Sequence, residues 1–289
     1  MYYSPLRYPG GKSKLAPFME LMINKLNING GTYVEPFAGG AGIAIELLLR
    51  DVVSQVVIND YDKAIASFWK AVINENERFI DKIYGTPVTI DEWYKQKEIL
   101  RSAQKYSFEL GFAAFFLNRT NRSGIINGGP IGGYDQASEW KLDVRYNKEK
   151  LIKRIQQIGD RKGDIHVYNK DAKSLLVHYL PKYGKKTMIY FDPPYYEKGK
   201  KLYMNYFEKK DHIEIEEIIR TNVKCDWVIT YDDDKEILKI YDKYVIKRFD
   251  LKYSVADKRT ASELIIFPKN EICPTDRELE QYSIDINFR

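Results

Sequence analysis

Short apolar runs rich in β-branched or aromatic side chains recur along the chain at Thr32–Glu35, Gln55–Asn59, Ile165–Tyr168, Met188–Phe191, Trp227–Thr230, Ile246–Leu251 and Leu264–Phe267. Runs of this length bounded by polar turns predict buried strands. Between them, apolar positions recur with helical period over Ser13–Leu26, Ile43–Arg50, Lys63–Ile83, Lys148–Ile158, Ile213–Ile219 and Lys235–Tyr244, with Asp211 and Glu214 giving a capping-box-like start to one of them. Strands alternating with helices predict an α/β domain with a mostly parallel sheet.

The alternation breaks between about Glu75 and Asn147. There two helical patterns, Thr89–Lys105 with a Thr89/Glu92 capping box and Phe108–Leu117, run into the glycine-rich stretch Asn118–Gly133. Such a stretch is no element interior. It predicts a long functional loop within an inserted helical subdomain, and Lys and Arg are dense just beyond it, from Lys141 to Lys162.

With 289 residues, the chain has room for about two units of ~150 residues and for a sizeable core. Its 44% hydrophobic and 30% charged residues are those of a globular protein, and no window approaches the ~18 apolar residues of a membrane span. Met1-Tyr2-Tyr3-Ser4-Pro5 has neither the charged nor the apolar region of a signal peptide, so a cytoplasmic protein is expected. Two cysteines without C-x-x-C spacing and three histidines outside any H-E-x-x-H pattern argue against disulfide scaffolds and common zinc sites. A net charge of +5 permits a polyanionic partner, and 23 tyrosines exceed what a core of this size needs. Flat amphipathic rings suit interfaces and base stacking.

Three constellations carry chemistry. In Val34-Glu35-Pro36-Phe37-Ala38-Gly39-Gly40-Ala41-Gly42, a strand end passes through small residues into a helix. Glycine lets the backbone turn tightly and approach a nucleotide-like ligand. Asp60, closing the next strand, is placed to accept hydrogen bonds from ribose hydroxyls. In Arg7-Tyr8-Pro9-Gly10-Gly11-Lys12-Ser13, the ending imitates a phosphate-binding loop, but Leu6 stands where that motif needs glycine and no strand precedes it. The third is an apolar strand ending in Asp192-Pro193-Pro194-Tyr195. Successive prolines remove two N–H donors and hold carbonyls outward. One carboxylate and one aromatic face stand beside them, which suits a planar ligand presenting an NH₂ group. Two acceptors, Asp192 Oδ and the Pro193 carbonyl, would favour a tetrahedral nitrogen and free its lone pair in the transition state.

The ordered set resembles the Dam-like (D12) family of N6-adenine DNA methyltransferases over nearly the whole chain. Arg7–Lys12 is similar to the family's N-terminal motif, Val34–Gly42 to its S-adenosylmethionine loop, Asp60 to its ribose-binding acid and Asp192–Tyr195 to its catalytic motif. Asn118-Arg119, followed by Gly124, resembles its DNA-contacting hairpin. The resemblance implies a Rossmann-like methyltransferase sheet with helices on both faces, carrying an inserted, mainly helical target recognition subdomain. The corresponding division is a catalytic part at 1–74, the insertion at 75–146 and a second catalytic part at 147–289. It implies S-adenosylmethionine as methyl donor, contacted by Tyr8, Lys12, Phe37, Gly39, Gly40, Asp60, Asp171 and Asp192, with Lys12 near its carboxylate. It implies catalysis by Asp192, Pro193, Pro194 and Tyr195 on an adenine turned out of double-stranded DNA, with no metal. Asn118, Arg119, Arg122, Ser123, Gly124 and Ile125 fall on the DNA-contacting segment, and Lys141 and Arg145 join Arg119 and Arg122 as candidate phosphate contacts. Arg122 stands where the family often carries a wedging aromatic, leaving Ile125 or Ile126 as the wedge.

A monomer or weak dimer in the cytoplasm, associated with DNA and in some settings with a companion restriction endonuclease, fits that family. Rival expectations are an N-methyltransferase acting on RNA adenine or another amino group, and a non-catalytic DNA-binding module on the same scaffold.

Overall fold

The computed structural model describes residues 3–7, 12–196, 207–252, 260–284, 286 and 288. Seven strands, β1 (Thr32–Glu35), β2 (Gln55–Asn59), β3 (Ile165–Tyr168), β4 (Thr187–Phe191), β5 (Asp226–Asp232), β6 (Val245–Lys252) and β7 (Thr260–Phe267), form one sheet in the order β3-β2-β1-β4-β5-β7-β6. The first five are parallel, with Tyr33 level with Val56 on one side and Met188 on the other. β7 runs antiparallel to both β5 and β6, so the sheet is mixed rather than parallel throughout. The short connection between β6 and β7 cannot hold the dozen or more residues of a parallel crossover, which forces the reversal.

Period-two alternation sends successive side chains to opposite faces. Tyr33, Met188 and Tyr190 join one hydrophobic cluster, while Val34, Ile189 and Phe191 join the other. Helices cover both. On the first face lie α1 (Ala16–Lys25), α2 (Gly42–Leu49) and α3 (Lys63–Asn74), whose buried hydrophobic residues belong to that cluster, Ala66 excepted. On the second lies the helix Lys209–Asn222, through Ile215 and Ile219. The architecture is Rossmann-like.

The helical period over Lys63–Ile83 resolves into two helices, α3 and α4 (Asn76–Gly85), because Glu75 leaves helical geometry at φ −131°, ψ 42°. Asn76 fixes the break by donating from Nδ2 to the carbonyls of Val72 and Ile155, each at 2.9 Å, the latter on α7 (Lys148–Gly159). The start of Lys209–Asn222 also differs from expectation. Glu208 caps it in a reciprocal box with Asp211, so Asp211 stands one turn inside the helix rather than at its cap.

Between β2 and β3 the chain carries α3 to α7, including α5 (Ile90–Ser102) and α6 (Phe108–Thr120). Phe115 of α6 stacks on Phe68 of α3 with centroids 5.9 Å apart and planes 8° from parallel, and Phe79 meets both edge-on. The helices of this stretch therefore share a core with the sheet. After α6, the glycine-rich loop closes on itself through an Asn121–Pro130 bridge.

Candidate active site

The carboxyl ends of β1, β2 and β4 meet where the strand order reverses, the place at which open α/β sheets bind ligands. After β1 the chain turns through Pro36–Ala41 into α2, and Gly39 takes φ +47°, a conformation that suits a residue without Cβ. Gly39 N–H donates to Asp60 Oδ2 at 2.8 Å, and Asp62 N–H donates to Asp60 Oδ1 at 2.8 Å. Each oxygen of Asp60 keeps a further lone pair for a ligand hydroxyl. Burial, reinforced by Asp62, pushes the Asp60 carboxyl up to about 7. Trp69 Nε1 donates to the Gly39 carbonyl at 2.9 Å, and Ser4 Oγ donates to the Gly40 carbonyl, so the loop is tied from α3 and from the N-terminal segment. Asn59 donates to the carbonyls of Pro36 and Lys170 at 2.9 and 3.0 Å, joining the ends of β2 and β3. Phe37, half-buried, meets Phe207 edge-on. Asp171 is exposed three residues past β3, beside Asn169, whose amide donates to the Asp60 carbonyl at 2.8 Å. Tyr8 lies outside the described residues.

At the end of β4, Thr230 of β5 donates to Asp192 Oδ1 at 3.0 Å. The single hydroxyl proton of Thr230 is thereby committed, so Tyr190 OH donates to Thr230 Oγ1 at 2.7 Å. This buried relay fixes the Asp192 rotamer. Burial raises the Asp192 carboxyl above its ordinary range, the Lys12 ammonium at 3.6 Å opposes this, and Glu263 adds to the rise. Lys12 Nζ also contacts the Tyr195 hydroxyl and lies 4.7 Å from the centre of its ring. Tyr195 is buried and its hydroxyl donates to Glu263 Oε1 at 2.7 Å. Pro193 is buried and Pro194 half-buried. Lys12 thus stands at the Asp192–Tyr195 end of the cleft.

Glu35, at the end of β1 between the two clusters of acceptors, is buried, and burial pushes its carboxyl up to about 8 although Ala44 N–H donates to Oε1 at 3.1 Å. Asp192 acts electrostatically on Glu35, so the two halves of the site form one field. Among the sequence candidates the structure therefore brings together Gly39, Gly40, Asp60, Asp192, Tyr195 and Lys12. It adds Glu35, Thr230, Tyr190 and Glu263. Of these, Glu263 carries a sequence signal, a carboxylate within a strand immediately before the apolar run Leu264–Phe267.

The candidate DNA segment divides by burial. Asn118 is fully buried: its Nδ2 donates to the carbonyls of Arg7 and Gly124 at 2.7 and 2.8 Å, and its Oδ1 accepts from Arg7 N–H at 2.7 Å. Gly124 is buried at φ +75°, and a Cβ there would stand 2.2 Å from the Arg7 carbonyl. Arg122, Ser123 and Ile125 are exposed, whereas Ile126 packs against the core. Arg119 donates from Nε to the Arg145 carbonyl at 2.7 Å. Burial, then Arg7, Arg154 and Arg145, lower its guanidinium to about 9. Among the described residues no carboxylate pairs with Arg7, Arg119, Arg145 or Arg154. Also among them, no cluster of His, Cys, Asp and Glu suits a metal and no helix is long and apolar enough to cross a membrane.

Comparison with known proteins bears on this arrangement. The sequence model of the D12 class N6 adenine-specific DNA methyltransferases matches residues 8–255. A type II methyltransferase of Methanocaldococcus jannaschii is 25% identical over 213 residues, covering 66% of this chain and 68% of its own. Among solved structures, a ribosomal RNA methyltransferase of Streptomyces viridochromogenes aligns over 92% of this chain and 88% of its own at 12% identity and a TM-score of 0.37. A protein of Legionella pneumophila aligns over 96% and 91% at 10% identity and 0.34.

Proposed function

Because the chain belongs to the D12 class N6 adenine-specific DNA methyltransferase family, we propose that it transfers a methyl group from S-adenosylmethionine to N6 of an adenine turned out of duplex DNA. The observation that carries this reading is the placement of Asp60, held by Gly39 N–H, and Asp192, held by Thr230, at the ends of β2 and β4 on either side of β1. The donor set fits such a cofactor. Asp60 offers two acceptor oxygens, which suit ribose hydroxyls better than phosphate, and Gly39 turns the backbone tightly beside it.

When bound, S-adenosylmethionine supplies an electrophilic methyl carbon whose bond to sulfur breaks with both electrons leaving to sulfur. The chain's own part is to make N6 nucleophilic. Asp192 and the Pro193 carbonyl accept hydrogen bonds from the two N6–H groups, which holds the nitrogen tetrahedral and its lone pair out of the ring. The proton released after transfer passes to Asp192 or water. The Tyr190–Thr230 relay keeps Asp192 Oδ1 aimed. Lys12 and Glu263 hold Tyr195, whose ring face away from Lys12 is the one a base would cover. Extruding a base costs a few kcal/mol. Ile125 at the exposed tip of the loop would fill the gap, and Arg7, Arg119, Arg145 and Arg154, which pair with no carboxylate among the described residues, would meet phosphates. In this reading residues 75–146 form the target recognition unit.

Asp192→Ala, assayed with tritiated methyl donor on DNA, RNA and protein in parallel, tests the proposal. Label entering DNA with the unaltered chain, lost in the variant while the cofactor still binds by calorimetry, is the expected result. Retained transfer would remove Asp192 from the chemistry, and label entering only RNA or protein would overturn DNA as substrate.

A further inference from the structure

A second concave site lies between α5 and the glycine-rich loop. α5 and residues 127–134 enclose a cleft of about 430 Å³ lined by Trp93, Tyr94, Lys97, Arg101, Gly129 and Tyr134, with Glu98 at its side. Tyr94 and Tyr134 are 53% and 60% exposed, and their rings lie 21° from parallel with centroids 6.4 Å apart. Trp93 stands edge-on to both, at 5.2 and 5.8 Å. A contiguous exposed aromatic surface of this kind marks a binding site more often than a packing accident. The spacing of the two tyrosines is close to the ~6.8 Å that two stacking gaps of about 3.4 Å each require. Lys97, buried and 5.7 Å from the Trp93 ring, and Arg101 place two cations against one carboxylate at the rim. Aromatic plates beside ammonium and guanidinium groups are the means by which proteins hold unstacked nucleotides without reading their sequence.

We propose that this cleft binds a nucleotide, its base stacked on Tyr94 and Tyr134 and its phosphate on Lys97 and Arg101; resting on the DNA-methyltransferase reading, its source is a base of the bound DNA that has left the stack. The cleft is joined to the tip of the glycine-rich loop. Trp93 Nε1 donates to Asn121 Oδ1 at 2.6 Å, and Asn121 Nδ2 holds the Ile125 and Ile126 carbonyls at 2.9 and 2.8 Å. Occupancy of the cleft therefore bears on the loop tip that carries Arg122, Ser123 and Ile125.

The test compares the unaltered chain with Tyr94→Ala/Tyr134→Ala and Tyr94→Phe/Tyr134→Phe, using a labelled 12-residue oligothymidylate, a mixed-sequence duplex and dAMP as probes. Thermal unfolding establishes that each variant is folded, and the Phe pair keeps the rings if the Ala pair does not fold. The Ala pair is expected to raise the Kd for oligothymidylate about tenfold or more, with the Phe pair within about twofold of the parent. Loss of dAMP binding in the Ala pair, with oligothymidylate unaffected, assigns the cleft to a free nucleotide instead. Unchanged affinity for all three probes in the Ala pair overturns the inference while leaving the methyltransferase reading intact. Failure of the unaltered chain to bind either oligonucleotide overturns both.

Discussion

Lys12 Nζ lies 3.1 Å from Glu263 Oε2, and each of these side chains is only 2% exposed. The pair fastens the N-terminal segment to β7, and Tyr195 donates to the same carboxylate. Removing one partner of a buried ion pair leaves an uncompensated charge and costs about 3–5 kcal/mol. Because Asp192 remains beside the ammonium, Glu263→Ala should fall near the lower end of that range in urea unfolding, about 3 kcal/mol. A change under about 1 kcal/mol would mean the pair does not hold the segment.

Lys12 also acts on the charge state of Asp192, the proposed catalytic carboxylate. Its ammonium opposes the upward push of burial on Asp192, and the proposed transfer needs Asp192 as an acceptor. Activity is therefore lost as pH falls through the Asp192 pKa. Lys12→Met removes the opposing charge, so the acid limb of the pH–rate profile should move to higher pH. An unmoved limb, at any level of residual activity, would show that Asp192 does not govern it.

Asp60 is ordered before any ligand arrives, by the N–H groups of Gly39 and Asp62. Asp60→Asn turns an amide donor toward one of these N–H groups and deletes an acceptor. The KM for S-adenosylmethionine should rise at least about tenfold, the value of one charge-assisted hydrogen bond, with kcat at saturation changed far less. An equal loss in kcat alone would place Asp60 in the chemical step instead.

Much of the fold and of the site is legible in the sequence, and the reason lies in range. Each of the seven strands announces itself as an apolar run, and Asp60 and Asp192 each follow such a run directly, with Gly39 in the turn after β1. Pairings across long separations leave no such mark. Thr230 aims Asp192 from the next strand, and Glu263 meets Lys12 from the opposite end of the chain. Asn118 reads in sequence as a polar loop residue fit for DNA, yet it is buried as a bracket between Arg7 and Gly124. The break at Glu75 is hidden because apolar spacing continues through it, while Asn76, whose amide fixes it, carries no periodic signal.

Phosphate contacts are tested through salt. Arg119 is forced near Arg7, Arg145 and Arg154 at the cost of a guanidinium lowered to about 9, a crowding that a polyanion relieves. Arg119→Met keeps much of the side-chain stem. It should flatten the slope of log affinity against log salt by about 0.9 for each phosphate that Arg119 neutralises. Parallel slopes would remove Arg119 from the interface.

Glu35 gives the fold a pH dependence of definite sign. Its carboxyl titrates at about 8 in the folded chain against an ordinary 4.5, chiefly through burial. Between those values the unfolded chain has released the proton and the folded chain still holds it. Stability therefore falls as pH rises from about 4.5 to about 8 and levels off beyond, with an upper bound on the order of 5 kcal/mol for this group. Asp60, raised to about 7 by burial and by Asp62, adds a fall of the same sign over the lower part of that window. Glu35→Gln keeps an oxygen for the Ala44 N–H and removes the titration. Urea midpoints taken every half unit of pH should show a shallower decline in the variant than in the parent. Superimposable curves would show that Glu35 is ionised in the folded chain at neutral pH.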